Sequence, residues 1–190
     1  MAGNSPVTPV ARSSFLSAVE RESGQRIMDC YQCGKCTAGC PAAASVALTP
    51  RQVMRGIQLG MKDDVLGSSM VWLCLSCQAC TVRCPCQIDI ARVMESLRLM
   101  SAVEGKVKER DIALFHRLFL RSVEAGGRLW ELGLGGFFNL SSGRPLSNVS
   151  LLPSLFSRGK LGLLPHKTKG AQEAVKRIFE RTAMVEGKKL

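Results

Sequence analysis

All nine cysteines of this 190-residue chain lie between positions 30 and 86, and eight of them fall into two copies of one pattern. Residues 30–41 read CYQCGKCTAGCP, and residues 74–85 read CLSCQACTVRCP. At an offset of 44 residues the four cysteines, one threonine (Thr37, Thr81) and the proline (Pro41, Pro85) coincide. Each copy is C-x2-C-x2-C-x3-C-P. A disulfide scaffold spreads an even number of cysteines along a short chain. Here they are clustered and odd in number, which is the usage of thiolate ligands in a reducing compartment.

The repeated run is the bacterial ferredoxin spacing for a [4Fe–4S] cluster. Three thiolates two residues apart wrap the backbone around one face of a cubane, and the proline turns the chain away. Gly34, Ala38, Gly39 and Ala79 let the backbone approach closely. In two-cluster ferredoxins the fourth cysteine of each run serves the other cluster. The expected ligand sets are therefore Cys30, Cys33, Cys36 and Cys84 for the first cluster, and Cys74, Cys77, Cys80 and Cys40 for the second. Direct ligation within each run is the alternative. Two structural zinc sites are a further one, although zinc favours paired C-x2-C knuckles across a longer loop. Cys86 is left over, and its ordinary reading is a small buried side chain.

The fold implied around these runs is mainly α. Residues 1–9 form a loose arm, and 12–22 have helical character, with Phe15, Leu16 and Val19 on one side and Arg12, Glu20 and Arg21 outward. Thr49-Pro50 is a helix start, with the threonine at the cap and proline first. Val53, Met54, Ile57 and, less regularly, Leu59 follow the helical period, and Gly60 stops it. A helix filling the link between the runs distinguishes this chain from compact ferredoxins built on β-hairpins. Asp89 caps another helix through about Glu104, with Ile90, Val93, Met94 and Leu97 on one face and Gly105 at its end. A helix over about 109–124 carries Ile112, Phe115, Leu118 and Phe119, a stripe expected to pack in a core. Between 133 and 170, Gly133, Gly135, Gly136, Ser141, Ser142, Gly143 and Pro145 should break regular structure. A short helix near 147–157 and an amphipathic one over about 171–184 complete the chain. The organisation expected is an N-terminal arm and helix (1–26), a dicluster domain (27–105) and a helical, irregular extension for partner docking (106–190).

No G-x-G-x-x-G run opens a helix, no Walker A sequence occurs and no hydrolase motif is present. His116 and His166 lack a carboxylate or cysteine partner in any recognisable motif. Two clusters without substrate chemistry describe an electron relay, so no catalytic residue is expected. The uncharged stretch Val65–Val82 is too short and polar for a membrane span. With no secretory signal visible, the protein reads as cytoplasmic.

The runs, with TPRQVMRGIQLG between them and VWLCLSCQACTVRCPCQIDIARVMESLR at the second, resemble the C-subunit of heterodisulfide reductase. The resemblance covers about residues 27–105. It implies an α-helical ferredoxin with two [4Fe–4S] clusters, the eight motif cysteines as ligands, and a hetero-oligomeric complex. In that complex a flavin-containing A-like subunit and a catalytic B-like subunit with CCG domains lie on either side. This chain has no CCG motif, so the substrate site must be on another chain. Iron–sulfur subunits of succinate dehydrogenase and fumarate reductase share the helical cluster domain, but add an N-terminal [2Fe–2S] domain for which residues 1–29 are too short. A freestanding ferredoxin, or the iron–sulfur subunit of another oxidoreductase, remains the alternative.

The formal charge of +11 raises nucleic-acid binding, with zinc as the stabilising metal, as a remote alternative. Aromatic residues make up only 5% and do not interleave with basic runs, so stacking platforms are not expected. The charge is also uneven. Residues 1–100 carry ten basic and seven acidic side chains, and 101–190 carry sixteen and eight. Two clusters with their thiolates bring the first half close to neutral, which leaves a basic extension suited to an acidic protein surface.

Overall fold

The computed structural model describes residues 13–144, 152–157 and 169–186. Among them the regular elements are all helical. The chain forms two compact units, the first ending at Glu109 and the second beginning at Arg110.

The first unit is built from helices whose ends are written in their caps. Helix α1 (Ser14–Ser23) starts at Ser13, whose hydroxyl accepts the Leu16 N–H at 3.1 Å, and stops at Gly24 in the left-handed region. Phe15, Leu16 and Val19 are buried, as the period requires. Glu20, expected outward, instead turns back and accepts the N–H of Ile27 at 2.8 Å and of Met28 at 3.4 Å. A carboxylate is spent there because the turn Ile27–Asp29 leaves those donors without helical partners.

A short helix α2 (Lys35–Ala38) lies inside the first cysteine run. Helix α3 (Pro50–Gln58) follows with a full capping box: Thr49 accepts from the backbone of Gln52, and Gln52 Oε1 accepts the Thr49 N–H at 2.8 Å. Val53, Met54 and Ile57 are fully buried, each contributing about 1.5–3 kcal/mol by removal from water. Leu59 is exposed, because it falls past the last turn.

Helices α4 (Lys62–Leu66) and α5 (Ser69–Leu73) lead to the second run, which contains α6 (Ala79–Val82). The uncharged stretch 65–82 is thus broken into separate short helices. No helix among the described residues is long and apolar enough to cross a membrane. Helix α7 (Ile90–Val103) is capped by Asp89, whose carboxylate accepts the Arg92 N–H at 3.1 Å. It packs against α1, α4, α5 and α6 and is the spine of the unit. Ile90, Val93, Met94 and Leu97 are buried on its inner face.

The second unit contains α8 (Arg110–Gly126), α9 (Glu131–Ser141), α10 (Leu152–Ser157) and α11 (Lys169–Glu186). Two expectations are corrected here. The stripe on α8 does not enter a core: Phe115 is 41% and Phe119 37% exposed. Phe115 stacks edge-on against Phe138 of α9, with centroids 5.7 Å apart, and remains exposed despite that contact. Gly133, Gly135 and Gly136 do not break the chain but lie within α9. Gly133 is needed because the Trp130 indole lies where its Cβ would be. The helix ends where Gly143 takes a φ of 72°. Of the short helix near 147–157, the described part is 152–157. The arm 1–9 and His166 lie outside the described residues.

Candidate metal centres

The two runs fold alike, and the likeness extends to the residues that support them. In each, the second and fourth positions after the leading residue take positive φ: Gln32 (65°) and Gly34 (82°), then Ser76 (50°) and Gln78 (65°). Three of these are not glycine, so strain is held at the same places in both runs, as at functional loops. Such backbone turns successive N–H groups toward one side and makes a concavity suited to an anionic group.

Thr37 and Thr81, the threonines that coincide in the repeat, each lock their run to the next long helix. Thr37 Oγ1 accepts the Arg51 N–H of α3 at 3.0 Å, and Thr81 Oγ1 accepts the Ala91 N–H of α7 at 3.3 Å. In both helices this is the second helical residue, whose N–H has no partner inside the helix.

The leading cysteines are held from behind in the same way. Gln58 Nε2 donates to the carbonyls of Ile27 at 3.1 Å and Cys30 at 2.9 Å. Arg98 donates from Nε to the Val71 carbonyl at 3.0 Å and from a terminal nitrogen to the Cys74 carbonyl at 2.6 Å. Ile27 and Cys30 stand 44 residues before Val71 and Cys74, so one device serves both runs. Sequence reasoning missed Gln58 and Arg98. The coincidence of Thr37 with Thr81 was the only signal pointing to the support around the cysteines.

Two hollows result. Cys74, Cys77 and Cys80 line one together with Cys40. Cys30, Cys33 and Cys36 line the other together with Cys84. The fourth cysteine of each run thus stands with the first three of the other, since α2 packs against α6. Ile90 lines both hollows. None of the nine cysteines forms a disulfide. Among the described residues no three cysteine, histidine or acidic side chains converge as they would around one metal ion. Four thiols around a hollow suit a group several ångströms wide, whereas zinc draws its thiolates to about 2.3 Å. The donor set and the space fit a [4Fe–4S] group in each.

Burial pushes the Cys30, Cys36 and Cys80 thiols up from their ordinary value. The N–H groups of Gln32, Thr37 and Thr81 oppose the shift at these three sulfurs respectively. Cys86 is not the small buried side chain expected. It is half-exposed, lines the first hollow beside Cys84, and donates its thiol to the Asp29 carbonyl at 3.0 Å. Two residues past Cys84, it is carried to the same mouth. His116 lies exposed on α8, in the second unit.

Residues 15–89 match a family model described as a 4Fe-4S dicluster domain. Across 84% of its length the chain is 32% identical to an iron–sulfur C-subunit, the one numbered 2, of the CoB–CoM heterodisulfide reductase of Methanocaldococcus jannaschii, covering 72% of that protein. It is 31% identical to the C-subunit of the ferredoxin:CoB-CoM heterodisulfide reductase of Methanosarcina acetivorans, over 84% of this chain and 64% of that one. It is 35% identical to the iron–sulfur C-subunit of the CoB–CoM heterodisulfide reductase of Methanopyrus kandleri, where the match spans about half of each protein. The dicluster domain carries two [4Fe–4S] clusters. A mainly helical dicluster unit, with these relatives aligned over most of its length, makes the chain a member of the heterodisulfide reductase C-subunit family of iron–sulfur electron-transfer proteins.

Proposed function

We propose that the chain relays electrons within a heterodisulfide reductase-like complex, between a flavin-containing A-like subunit and a catalytic B-like subunit with CCG domains, in the cytoplasm. The observation that carries this reading is the wall common to the two hollows. Ile90 borders both, so two redox groups held there are immediate neighbours. Each [4Fe–4S] group, when bound, exchanges one electron at a time. The chain's own part is to present thiolates and to hold them still. Cys30, Cys33, Cys36 and Cys84 are the ligands of the first group, and Cys74, Cys77, Cys80 and Cys40 those of the second. Gln58 and Arg98 fix the carbonyls behind the leading cysteines, and the Thr37 and Thr81 hydroxyls tie each run to the next long helix. Residues 27–105 form the dicluster domain, preceded by an N-terminal arm and helix over 1–26. Residues 106–190 are the docking extension, whose basic excess suits an acidic face on a partner.

Anaerobic purification of the full chain from its native cells tests the reading. It should bring down two larger proteins, one flavin-bearing and one cysteine-rich, with about eight irons per copy of this chain. A monomer holding the same iron is a freestanding ferredoxin, and zinc without iron sinks the relay altogether. Cys84→Ser tests the crossing. The spectrum of the cluster held by Cys30, Cys33 and Cys36 should change; a change confined to the Cys74 cluster means direct ligation.

A further inference from the structure

The internal repeat supplies two sites with the same fold and ligands, so the differences between them can be read position by position. Tyr31, Gln32 and Lys35 of the first run stand where the second has Leu75, Ser76 and Ala79. Tyr31 and Gln32 both line the first hollow, and Gln32 Nε2 donates to Cys30 Sγ at 3.5 Å. Lys35 and Arg51 bring two cations to the lining of the first hollow. The counterpart of Arg51, judged by the threonine that binds its N–H, is Ala91. Around the second hollow the lining besides cysteine is Pro41, Ala42, Pro50, Met70, Leu75, Ile90 and Met94, without a charge.

The helix caps differ in the same sense. Helix α3 begins at the neutral Thr49, and α7 at Asp89. The Thr81 hydroxyl donates to Asp89 Oδ1 at 2.9 Å, which holds a carboxylate against the second run. Thr37 has no such carboxylate at its cap, because α3 begins at the neutral Thr49.

The cluster potential is set by hydrogen bonds to the sulfurs, net charge and exposure. Taking up an electron makes the site more negative by one charge. That is favoured by donors and cations and disfavoured by an apolar lining, where the added charge has no dipoles to meet it. Exposure separates the sites at one ligand only: Cys36 is buried where Cys80 is half-buried, which opposes the added charge at the first site, while Cys33 and Cys77 are both exposed and the remaining four ligands are alike. Three other charged groups are in place. Arg98 lies behind Cys74, but its guanidinium is taken up by the Val71 and Cys74 carbonyls, whose dipoles oppose it. The Arg83 guanidinium lies against Gly39 and lines neither hollow. The Asp29 carboxylate, beside Cys30, is paired with Arg26 at 3.3 Å.

Resting on the ligand sets above, we propose that the two sites are energetically unequal. The cluster held by the Cys30 run has the higher reduction potential and holds the first electron. The second site, the harder to reduce, passes its electron downhill to the first across the Ile90 wall.

A redox titration of the anaerobically purified full chain, followed by electron paramagnetic resonance, tests this with a pair of variants. The triple variant Tyr31→Leu, Gln32→Ser, Lys35→Ala imports the second run into the first. It should lower the higher of the two potentials and leave the lower one unmoved. The expected shift is about tenfold in the oxidised-to-reduced ratio at fixed poise, about 59 mV for one electron. The reciprocal variant Leu75→Tyr, Ser76→Gln, Ala79→Lys should raise the lower potential alone, and it serves as the test if the first variant does not assemble. Movement of the opposite potential, or of neither, overturns the inference while two reduction steps leave the dicluster reading intact. A single reduction step with half the iron overturns both.

Discussion

At the scale of single residues, the groups that matter most are those with two partners at once. Ser101 is fully buried, accepts the Trp72 indole N–H at 3.2 Å and donates to the Lys106 carbonyl at 3.0 Å. It therefore ties α5 and the chain beyond α7 to the same point. Ser101→Ala leaves a buried donor and a buried acceptor without partners, at about 1–3 kcal/mol for each group so stranded. Chemical denaturation of the loaded chain should show a midpoint lowered accordingly, and an unchanged midpoint means that water replaces the hydroxyl. Lys106 and Glu104 act at the surface beside it. Glu104, held low by hydrogen bonds from Lys106 and Lys62, stabilises the fold above the ordinary carboxylate range and loses that effect as pH falls through its lowered value. Lys106, held high by Asp63 and Glu104, stabilises below the ordinary lysine range and loses that effect as pH rises through its raised value. Glu104→Gln should flatten the acid limb of the stability–pH curve and leave the alkaline loss from the Asp63 pair in place. An acid limb as steep as that of the unaltered chain would place the titrating group elsewhere.

At the scale of elements, α3 and α7 do the same work for the two runs, and their starts decide whether it is done. Thr49→Ala removes the capping box of α3 at a cost of about 1 kcal/mol. The loss should also reach the cluster, because the same first turn carries the Arg51 N–H that fixes Thr37. Iron bound by the Cys30 run should become more labile to chelator than that of the Cys74 run; equal lability means the turn is held by packing alone. Both helices were legible in the sequence because cap, period and stop agree: Thr49, Val53 with Met54 and Ile57, then Gly60; Asp89, Val93 with Leu97, then Gly105. The second unit was not. Glycines at 133, 135 and 136 read as breaks, since the propensity of each is poor. What overrides it is a contact, Trp130 against Gly133, whose two partners give no joint sign in the sequence. The stripe of α8 was read correctly as a face, but what covers it depends on how few neighbours a small unit can offer. Gln58 and Arg98 escaped notice for a related reason: a polar side chain on a helix looks the same whether it meets water or a carbonyl 28 or 24 residues back.

At the scale of the whole molecule, cysteines and charge are divided along the same line as the structure. Every cysteine lies before Glu109, in the unit whose core is Leu16, Ile27, Met54, Ile57, Met94 and Leu97. The second unit begins at Arg110, and residues 110–190 carry fourteen basic and six acidic side chains. A unit with its own buried core folds by itself, and the cysteine crossing staples only segments within it. A chain ending at Glu109 should therefore still bind about eight irons, since both four-iron ligand sets lie within it. What it should lose is the partner. Charges on an exposed surface act over about 8 Å at physiological ionic strength, so a basic extension meeting an acidic face speeds and orients association in a salt-dependent way. Binding of the full chain to its complex should weaken as salt rises, and binding of the shortened chain should be weak and nearly indifferent to salt. Iron analysis beside a pull-down at two ionic strengths separates the possibilities. Loss of iron on shortening means that the second unit completes the cluster domain. Retention of both iron and salt-dependent binding puts the docking surface on the first unit, where the charged mouth of the first hollow, with Lys35 and Arg51, becomes the face that meets the partner.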